Sequence, residues 1–175
     1  MPDYEAFSEN LISRLKNLEG ILFDVDGVLT DGRIIYSEDG HELKHFHVQD
    51  GASLKMLMQH NVAIGIITGR RSPIVARRAR ELGIEHVRQG SDSKAEAIEE
   101  LIAEGFPGGN LAAVGDDMQD LGMFQHPAVG VSITVPAAHP AIAQTAHITT
   151  RRQGGQGVVV DIAEWVLRAK GQWPF

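Results

Sequence analysis

A short apolar segment that ends in acidic residues is the feature that most restricts the fold of this chain. Residues 21–32 are ILFDVDGVLTDG, so an apolar run of strand length ends at Asp24 and Asp26, and Gly27 allows the chain to turn away. In a parallel α/β sheet, ligands bind at the carboxyl ends of the strands. Two carboxylates are costly there unless a cation neutralises them. The segment therefore predicts a hard-metal site with a carboxylate available for chemistry.

Apolar runs of strand length recur along the chain and alternate with segments of helical pattern. The runs at 62–67 and 111–114 are continuously apolar, which is typical of parallel strands buried on both faces. Shorter strands are predicted at 84–87, 128–131 and 147–149, and helices at 51–60, 72–83, 93–104 and 158–169. This alternation predicts an α/β fold with a doubly wound, mainly parallel sheet and right-handed crossovers.

Length and composition restrict the class of protein. The 175 residues predict one domain over 1–175. The absence of cysteine excludes a disulfide scaffold, thiol catalysis and a zinc–cysteine site. The net charge of −7 argues against a nucleic-acid-binding surface, and no apolar run is long enough to cross a membrane. Residues 1–10 show no secretory pattern, so we expect a cytoplasmic protein without nucleic-acid or membrane partners.

Three of the predicted strands end in polar residues, and a lysine opens a helix between the second and the third. These residues are Asp24 and Asp26, then Thr68, Gly69 and Arg70, then Lys94, and finally Asp116, Asp117 and Asp120. The carboxyl ends of parallel strands lie at one edge of the sheet. The carboxylates would form an oxygen site suited to Mg²⁺, and the hydroxyl, the backbone turn and the lysine would bind an anion. This set suits phosphoryl transfer through an aspartyl-phosphate.

Four segments, in this order, resemble the four motifs of haloacid-dehalogenase-type phosphatases. They are DVDGVLT at 24–30, ITG at 67–69, Lys94, and GDDMQD at 115–120. The resemblance implies that Asp24 is the nucleophile, and that Asp26 protonates the leaving alkoxide and then activates water. It also implies that Thr68 and Lys94 hold phosphoryl oxygens. The implied Mg²⁺ ligands are Asp24, the backbone carbonyl of Asp26, and Asp116, with Asp117 and Asp120 in supporting roles.

The spacing of these motifs leaves no room for a separate cap domain. Residues 27–67 and residues 69–93 each contain a predicted core helix and little more. A capless enzyme has to shield its intermediate in another way. A β-hairpin predicted by Asp39-Gly40 lies within residues 32–48, and we call these residues the flap. We expect the flap to shield the site, packed against a neighbouring subunit.

Further segments resemble the 3-deoxy-D-manno-octulosonate 8-phosphate phosphatase family. They are DGHELKHFHVQDG at 39–51, Gln89-Gly90, and GGQG at 154–157. The resemblance implies a Mg²⁺-dependent homotetramer that serves lipopolysaccharide synthesis, with the hairpins forming a central barrel. It also implies substrate contacts from the catalytic residues Asp26, Thr68 and Lys94 and from Gly69. The implied sugar-acid contacts are His47, Val48, Gln49, Asp50, Gly51, Lys55, Arg70 and Arg78. Arginine suits this substrate because its guanidinium binds carboxylates through two parallel hydrogen bonds.

Two departures from this family leave alternatives open. Gln49 stands where members usually have arginine, and Val160-Asp161 stands where they usually have an Arg-Glu pair. Both positions are expected near the sugar, so a phosphatase of a nine-carbon ulosonate 9-phosphate is the alternative substrate assignment. Alternatives of another class are a phospho-aspartate receiver domain, which lacks a counterpart of Asp26, and a non-catalytic oligomerisation module.

Two further segments admit more than one interpretation. The glycine-rich tail at 151–175 is either disordered or an arm that reaches its own or a neighbouring active site. His41, His45 and His47 share one face of a predicted strand, which would suit a transition metal. No further ligand type accompanies them, so we favour solvated or subunit-contact histidines.

Overall fold

The computed structural model describes residues 3–175 as an α/β fold, which confirms the predicted class. Residues 1 and 2 lie outside the described residues, and the single domain over 1–175 and the absence of a secretory pattern in 1–10 remain predictions. The strands are β1 (Gly20–Phe23), β2 (Ile35–Tyr36), β3 (Glu42–Leu43), β4 (Ala63–Thr68), β5 (His86–Gln89), β6 (Leu111–Val114), β7 (Val129–Thr134) and β8 (Ile148–Thr149). The α-helices are α1 (Glu9–Lys16), α2 (Val48–Gln59), α3 (Pro73–Leu82), α4 (Lys94–Ala103), α5 (Leu121–Phe124), α6 (Pro140–Thr145) and α7 (Val158–Ala169).

Six parallel strands form the main sheet in the order β5-β4-β1-β6-β7-β8. β1 lies between β4 and β6, with Phe23 opposite Ile66 and Val114. The three strands whose ends carry the predicted catalytic residues are therefore neighbours at the centre of the sheet. This order brings the first, second and fourth motifs to one edge, as the sequence predicts.

Two apolar layers cover the sheet, which makes it doubly wound. On one face, Ile21 and Phe23 pack in a core with residues of α2, α3 and α7, including the fully buried Trp165. On the other face, Leu22 packs with residues of α4, α5 and α6. Successive strand residues point to opposite faces, so a strand covered on both sides has to be apolar throughout.

Local sequence signals explain where several helices begin and end. The Ser8 and Ser93 side chains accept hydrogen bonds from the backbone N–H of Leu11 and Glu96, so they cap α1 and α4. Pro73 occupies the first turn of α3, which ends at Gly83 in a left-handed conformation. The capping of α4 fixes Lys94 at the first position of this helix.

The flap is a hairpin of two short antiparallel strands, β2 and β3. The chain reverses between Ser37 and His41, where Gly40 N–H donates to the Ser37 carbonyl at 2.9 Å. The predicted helix at 51–60 begins earlier than expected, at Val48, because His47 accepts a hydrogen bond from the Gln49 N–H and caps it. Residues 48–51 therefore form the first turn of α2 rather than a loop.

Within residues 3–175, no helix has the length and apolar character needed to cross a membrane.

Candidate active site

The candidate site begins where β1 ends. Asp24 directly follows Phe23, and its backbone N–H donates to the Val114 carbonyl at 3.0 Å, which continues the β1–β6 pairing by one residue. The carboxylate of Asp24 is buried, with the residue only 6% exposed. The sheet therefore fixes the backbone of this residue on the side of β6, the strand that leads to Asp116.

A tight turn at 25–29 carries Asp26 away from the sheet. Thr30 N–H donates to the Val25 carbonyl at 3.0 Å, and Gly27 lies in the middle of the turn with φ of +101°. A Cβ atom on Gly27 would lie 2.0 Å from Oδ2 of Asp116. Glycine is needed here both for the backbone conformation and because the Asp116 carboxylate packs against the turn.

Lys94 is the cation at the centre of the site. Its Nζ donates to Asp24 Oδ1 and to Asp120 Oδ1, each at 2.5 Å, and the residue is 5% exposed. Burial opposes its charge, but the two carboxylates prevail and raise the pKa of Lys94 above its usual value. Lys94 therefore stays charged and holds Asp24 in one orientation.

Asp120 fixes the loop that carries Asp116 and Asp117. Its Oδ2 accepts the backbone N–H groups of Asp116 at 2.8 Å and of Asp117 at 3.0 Å, while its Oδ1 accepts from Lys94. Asp117 caps the short helix Met118–Asp120 through its own side chain. Both oxygens of Asp120 are thus engaged within the protein.

Two carboxyl groups of the cluster resist ionisation. Burial and the charge of Asp120, opposed by Lys94, raise the pKa of Asp24 to about 6. Burial, together with Asp24, Asp120 and Asp117, raises the pKa of Asp116 to about 7. Lys94 alone does not neutralise the four neighbouring carboxyl groups, so the site has an excess of negative charge. These groups belong to Asp24, Asp116, Asp117 and Asp120.

The same cluster has the composition of a metal site. Carboxylate oxygens of Asp24, Asp116 and Asp120 lie within 4.8 Å of one another. Asp116 Oδ1 is buried and has no hydrogen-bond partner. A buried carboxylate oxygen without a donor is costly, and a divalent cation would satisfy it. The site therefore fits a cation that prefers oxygen ligands, with Asp24 and Asp116 as the ligands that remain available.

A cleft of about 540 Å³ opens above this cluster. It is lined by Asp24, Asp26, Ile34, Thr68, Gly69, Arg70, Ser91, Asp92, Lys94, Asp117, Gln119 and Asp120. The structure thus brings together the predicted catalytic residues, the predicted substrate contact Gly69, and one of the predicted sugar-acid contacts, Arg70. Ser91 and Asp92 are additional lining residues outside the four motifs, and Gln119 is a residue of the fourth motif to which the sequence assigns no role.

The flap reaches this cleft through two charged residues, Glu42 in β3 and Lys44 just after this strand. Lys44 Nζ donates to Asp26 Oδ1 at 2.5 Å and lies 3.4 Å from Glu42 Oε1. Glu42 Oε1 in turn accepts from the Nη2 of Arg70 at 2.6 Å. The Lys44 side chain is only 2% exposed. We call these two flap residues the flap clasp, since they connect the hairpin to Asp26 and Arg70.

The remaining predicted sugar contacts lie outside the cleft. Asp50 Oδ1 accepts the Val159 N–H at 2.7 Å, and Gln49 Oε1 accepts from Arg152 at 3.2 Å, so the first turn of α2 is joined to the start of α7. Arg78 lies over the ring of Phe46 and against Gly51. The residues His47, Val48, Gln49, Asp50, Gly51, Lys55 and Arg78 are absent from the lining of the catalytic cleft.

The glycine-rich segment 154–157 packs against the catalytic turn of its own chain. Gly155 N–H donates to the Val28 carbonyl at 2.9 Å. A Cβ on Gly154 would lie 1.8 Å from the Gly27 carbonyl oxygen, and one on Gly155 would lie 2.5 Å from the Asp31 nitrogen. Nearby, Asp161 Oδ2 accepts the N–H groups of Arg151 and Arg152. This segment is ordered against its own chain, and it supports the turn that carries Asp26.

A methyl group at position 154 is expected to displace this turn. Gly154 has no positive φ, so alanine is allowed by the backbone, but its Cβ collides with the Gly27 carbonyl group. We expect Gly154→Ala to reduce kcat for an aryl phosphate by roughly 100-fold, because a shift of about 1 Å at a catalytic group has effects of that size. Gly109→Ala is the matched control, since nothing lies within 4 Å of its Cβ. Equal activity of the two variants would show that the packing does not position the turn.

Sequence and structural comparisons agree with this geometry. A family model described as haloacid dehalogenase-like hydrolase matches residues 83–162. The 3-deoxy-D-manno-octulosonate 8-phosphate phosphatase of Yersinia pestis is 37% identical over 168 residues, which cover 95% of this chain and 89% of that protein. The chain belongs to the 3-deoxy-D-manno-octulosonate 8-phosphate phosphatase family.

Solved structures from this family share the fold. The enzyme of Moraxella catarrhalis, in complex with a magnesium ion, a phosphate ion and a KDO molecule, has a TM-score of 0.87 and 38% identity, covering 94% of each chain. The cobalt-bound phosphatase of Haemophilus influenzae has a TM-score of 0.84 and 35% identity, covering 90% of this chain and 92% of that one. These two relatives therefore hold a divalent cation on the fold described above.

Proposed function

We propose that this protein hydrolyses 3-deoxy-D-manno-octulosonate 8-phosphate to the free sugar acid and phosphate, through an aspartyl-phosphate and with Mg²⁺, in lipopolysaccharide precursor synthesis. The observation that supports this most directly is the cluster of Asp24, Asp116 and Asp120 around Lys94 at the end of β1. The chain's membership in the phosphatase family supports the substrate. A cytoplasmic location is part of the same proposal.

In the proposed reaction, Asp24 is the nucleophile and Lys94 orients it through Oδ1. Asp26 protonates the leaving alkoxide oxygen and then accepts a proton from the attacking water. Thr68 and Lys94 hold phosphoryl oxygens, and Gly69, in the same turn as Thr68, also contacts the substrate. Mg²⁺ would be held by Asp24, Asp116 and the carbonyl of Asp26, with Asp117 and Asp120 in support, and would neutralise charge on the phosphoryl group.

The test of this proposal is phosphate release from 3-deoxy-D-manno-octulosonate 8-phosphate, with Mg²⁺ or with EDTA. A nine-carbon ulosonate 9-phosphate, neutral sugar phosphates and the Asp24→Asn variant complete the panel. We expect metal-dependent and Asp24-dependent release, fastest with the octulosonate ester. A clear preference for the nine-carbon ester would keep the mechanism and change the substrate, which would direct attention to Gln49 and Val160.

Exposed apolar side chains on the flap are an argument for assembly into a homotetramer. Ile34, Tyr36 and Leu43 on the hairpin are exposed, and Val48 beside them is 81% exposed. Exposed apolar side chains concentrated on one small element indicate a surface covered by another chain. We propose that copies of this chain associate there. Light scattering should then give a mass near four times the 19.0 kDa of one chain.

Association of this kind would also give the distant sugar contacts a role. His47, Gln49 and Arg78 lie near the base of the flap but outside the cleft of their own chain. We propose that His47, Val48, Gln49, Lys55 and Arg78 contact the sugar acid bound to a neighbouring copy. Asp50 and Gly51 are buried and would hold this turn against α7 and Arg78. Arg70 contacts the sugar acid within the same chain.

The raised pKa of Asp116 predicts that the wild type and Asp116→Asn differ in stability by an amount that depends on pH and on bound metal. The folded-state pKa of Asp116 is about 7, well above its value in an unfolded chain, so the folded state holds this proton more tightly. The contribution of Asp116 to the free energy of unfolding is greatest below about pH 4, where the carboxyl group is protonated in both states. This contribution is lost as the pH rises through about 7, where the buried group ionises. In EDTA, Asp116→Asn should therefore exceed the wild type in Tm by an amount that grows between pH 5 and 8. Saturating Mg²⁺ should reverse this order, since only the wild type keeps the ligand.

A further inference from the structure

Arg70, the predicted contact for the substrate carboxylate, already binds a carboxylate of its own chain. Its Nη2 donates to Glu42 Oε1 at 2.6 Å, and its side chain is 41% exposed at the cleft. Burial acts against the charge of Glu42, but Arg70 and Lys44 prevail and lower its pKa. Glu42 is therefore ionised at neutral pH and forms an ion pair with Arg70.

The bond between Glu42 and Arg70 leaves part of the guanidinium unused. Arg70 Nε is buried and has no hydrogen-bond partner, and it lies 3.8 Å from Asp26 Oδ2. Tyr36 of the flap also lies near the guanidinium and, with Glu42, raises the pKa of Arg70. Guanidinium groups bind carboxylates best through two parallel hydrogen bonds. A carboxylate that entered the cleft and engaged two nitrogens would satisfy Arg70 better than Glu42, whose hydrogen bond is to Nη2.

We propose that Glu42 occupies on Arg70 the position that the carboxylate of the sugar acid takes, and that it is a specificity-determining residue of this enzyme. The inference rests on the proposed function. A substrate with a carboxylate displaces Glu42 from Arg70. A neutral sugar phosphate has no group to do so, and Glu42 remains on Arg70.

The same exchange connects substrate identity to the flap. Glu42 lies in β3, and Lys44 follows this strand directly. Lys44 holds Asp26, the proposed acid and base, at 2.5 Å. Displacement of Glu42 removes one of the two contacts of the flap clasp. Phosphate esters of sugars without a carboxylate leave both contacts in place, that of Glu42 with Arg70 and that of Lys44 with Asp26. The enzyme then discriminates against such esters because they cannot replace Glu42 on Arg70, and not because they collide with the site.

The test compares Glu42→Gln with Glu38→Gln. Glutamine keeps the size of the side chain and removes its charge, and Glu38 is an exposed acid on the same flap, so its variant controls for net charge. For Glu42→Gln we expect the KM of the carboxylate-bearing substrate to fall about threefold to fivefold, the size expected for a partly exposed ion pair. The KM of p-nitrophenyl phosphate should fall much less, and Glu38→Gln should show no such difference.

Two results would overturn the inference. One is an equal change in KM for both substrates, and the other is a higher KM for the sugar-acid ester, which would mean that Glu42 orients Arg70. Calorimetric titration with 3-deoxy-D-manno-octulosonate tests the exchange without turnover, and Glu42→Gln should bind it more tightly than the wild type. Absence of Asp24-dependent hydrolysis by the wild type would refute the proposed function, whereas unchanged binding in Glu42→Gln would refute the exchange.

Discussion

Asp24→Asn is expected to reduce hydrolysis of 3-deoxy-D-manno-octulosonate 8-phosphate by roughly 10⁴-fold or more. An amide is a far weaker nucleophile than a carboxylate, and loss of the nucleophile removes the covalent step itself. The fold should be retained, because asparagine has nearly the same shape and Lys94 keeps its hydrogen bond to Asp120. The measurement is phosphate release under saturating Mg²⁺, together with Tm.

The matched control for this variant is Asp39→Asn, which makes the same chemical change at the exposed turn of the flap. It should hydrolyse the substrate at nearly the wild-type rate. Substantial activity of pure Asp24→Asn protein would mean that another group attacks phosphorus.

Lys94→Met is expected to lower the free energy of unfolding by about 3–5 kcal/mol in EDTA at pH 8. Lys94 is the buried partner of both Asp24 and Asp120, and removing one member of a buried ion pair leaves an uncompensated charge. Asp116 increases this loss of stability, because at pH 8 it adds a further negative charge to the cluster. Burial and the neighbouring acids already raise its pKa to about 7. Urea unfolding monitored by circular dichroism gives the value.

Two further variants separate this charge effect from a loss of packing. Lys16→Met removes the same charge from an exposed position at the end of α1 and should cost little. Combining Lys94→Met with Asp120→Asn removes one of the stranded acids, so the double variant should be more stable than Lys94→Met alone. Equal stabilities of Lys94→Met and Lys16→Met would show that Lys94 does not neutralise the cluster.

The centre of the site was predictable because strand ends carry strong sequence signals. Continuous apolar runs identify buried parallel strands, and polar residues directly after them fall at one edge of the sheet. The positions of Asp24, Thr68 and Asp116 follow from this pattern, and Ser93 places Lys94 at the start of α4. Helix α7 also has the predicted bounds of 158–169, since its buried apolar residues follow a helical period.

The flap clasp was not predictable in the same way. Strands β2 and β3 contain two residues each, so alternation does not indicate which side chains face the cleft. Glu42 and Lys44 lie within the segment at 39–51 that resembles the family, but the pattern does not show that they reach Arg70 and Asp26. Likewise, the six residues of α6 are too few to show a helical period, so the sequence pattern does not indicate this helix.

The packing of Gly154 on Gly27 has a consequence for the order in which the active site is completed during synthesis. Every residue of the proposed acid cluster and its lysine has been translated once the ribosome passes Asp120. The support beneath the turn with Asp26 appears only some thirty residues later, and the helix that anchors it ends at Ala169. Domains usually fold as units as the chain emerges. A nascent or truncated chain that stops before residue 154 would therefore contain all four motifs and still lack a positioned acid and base.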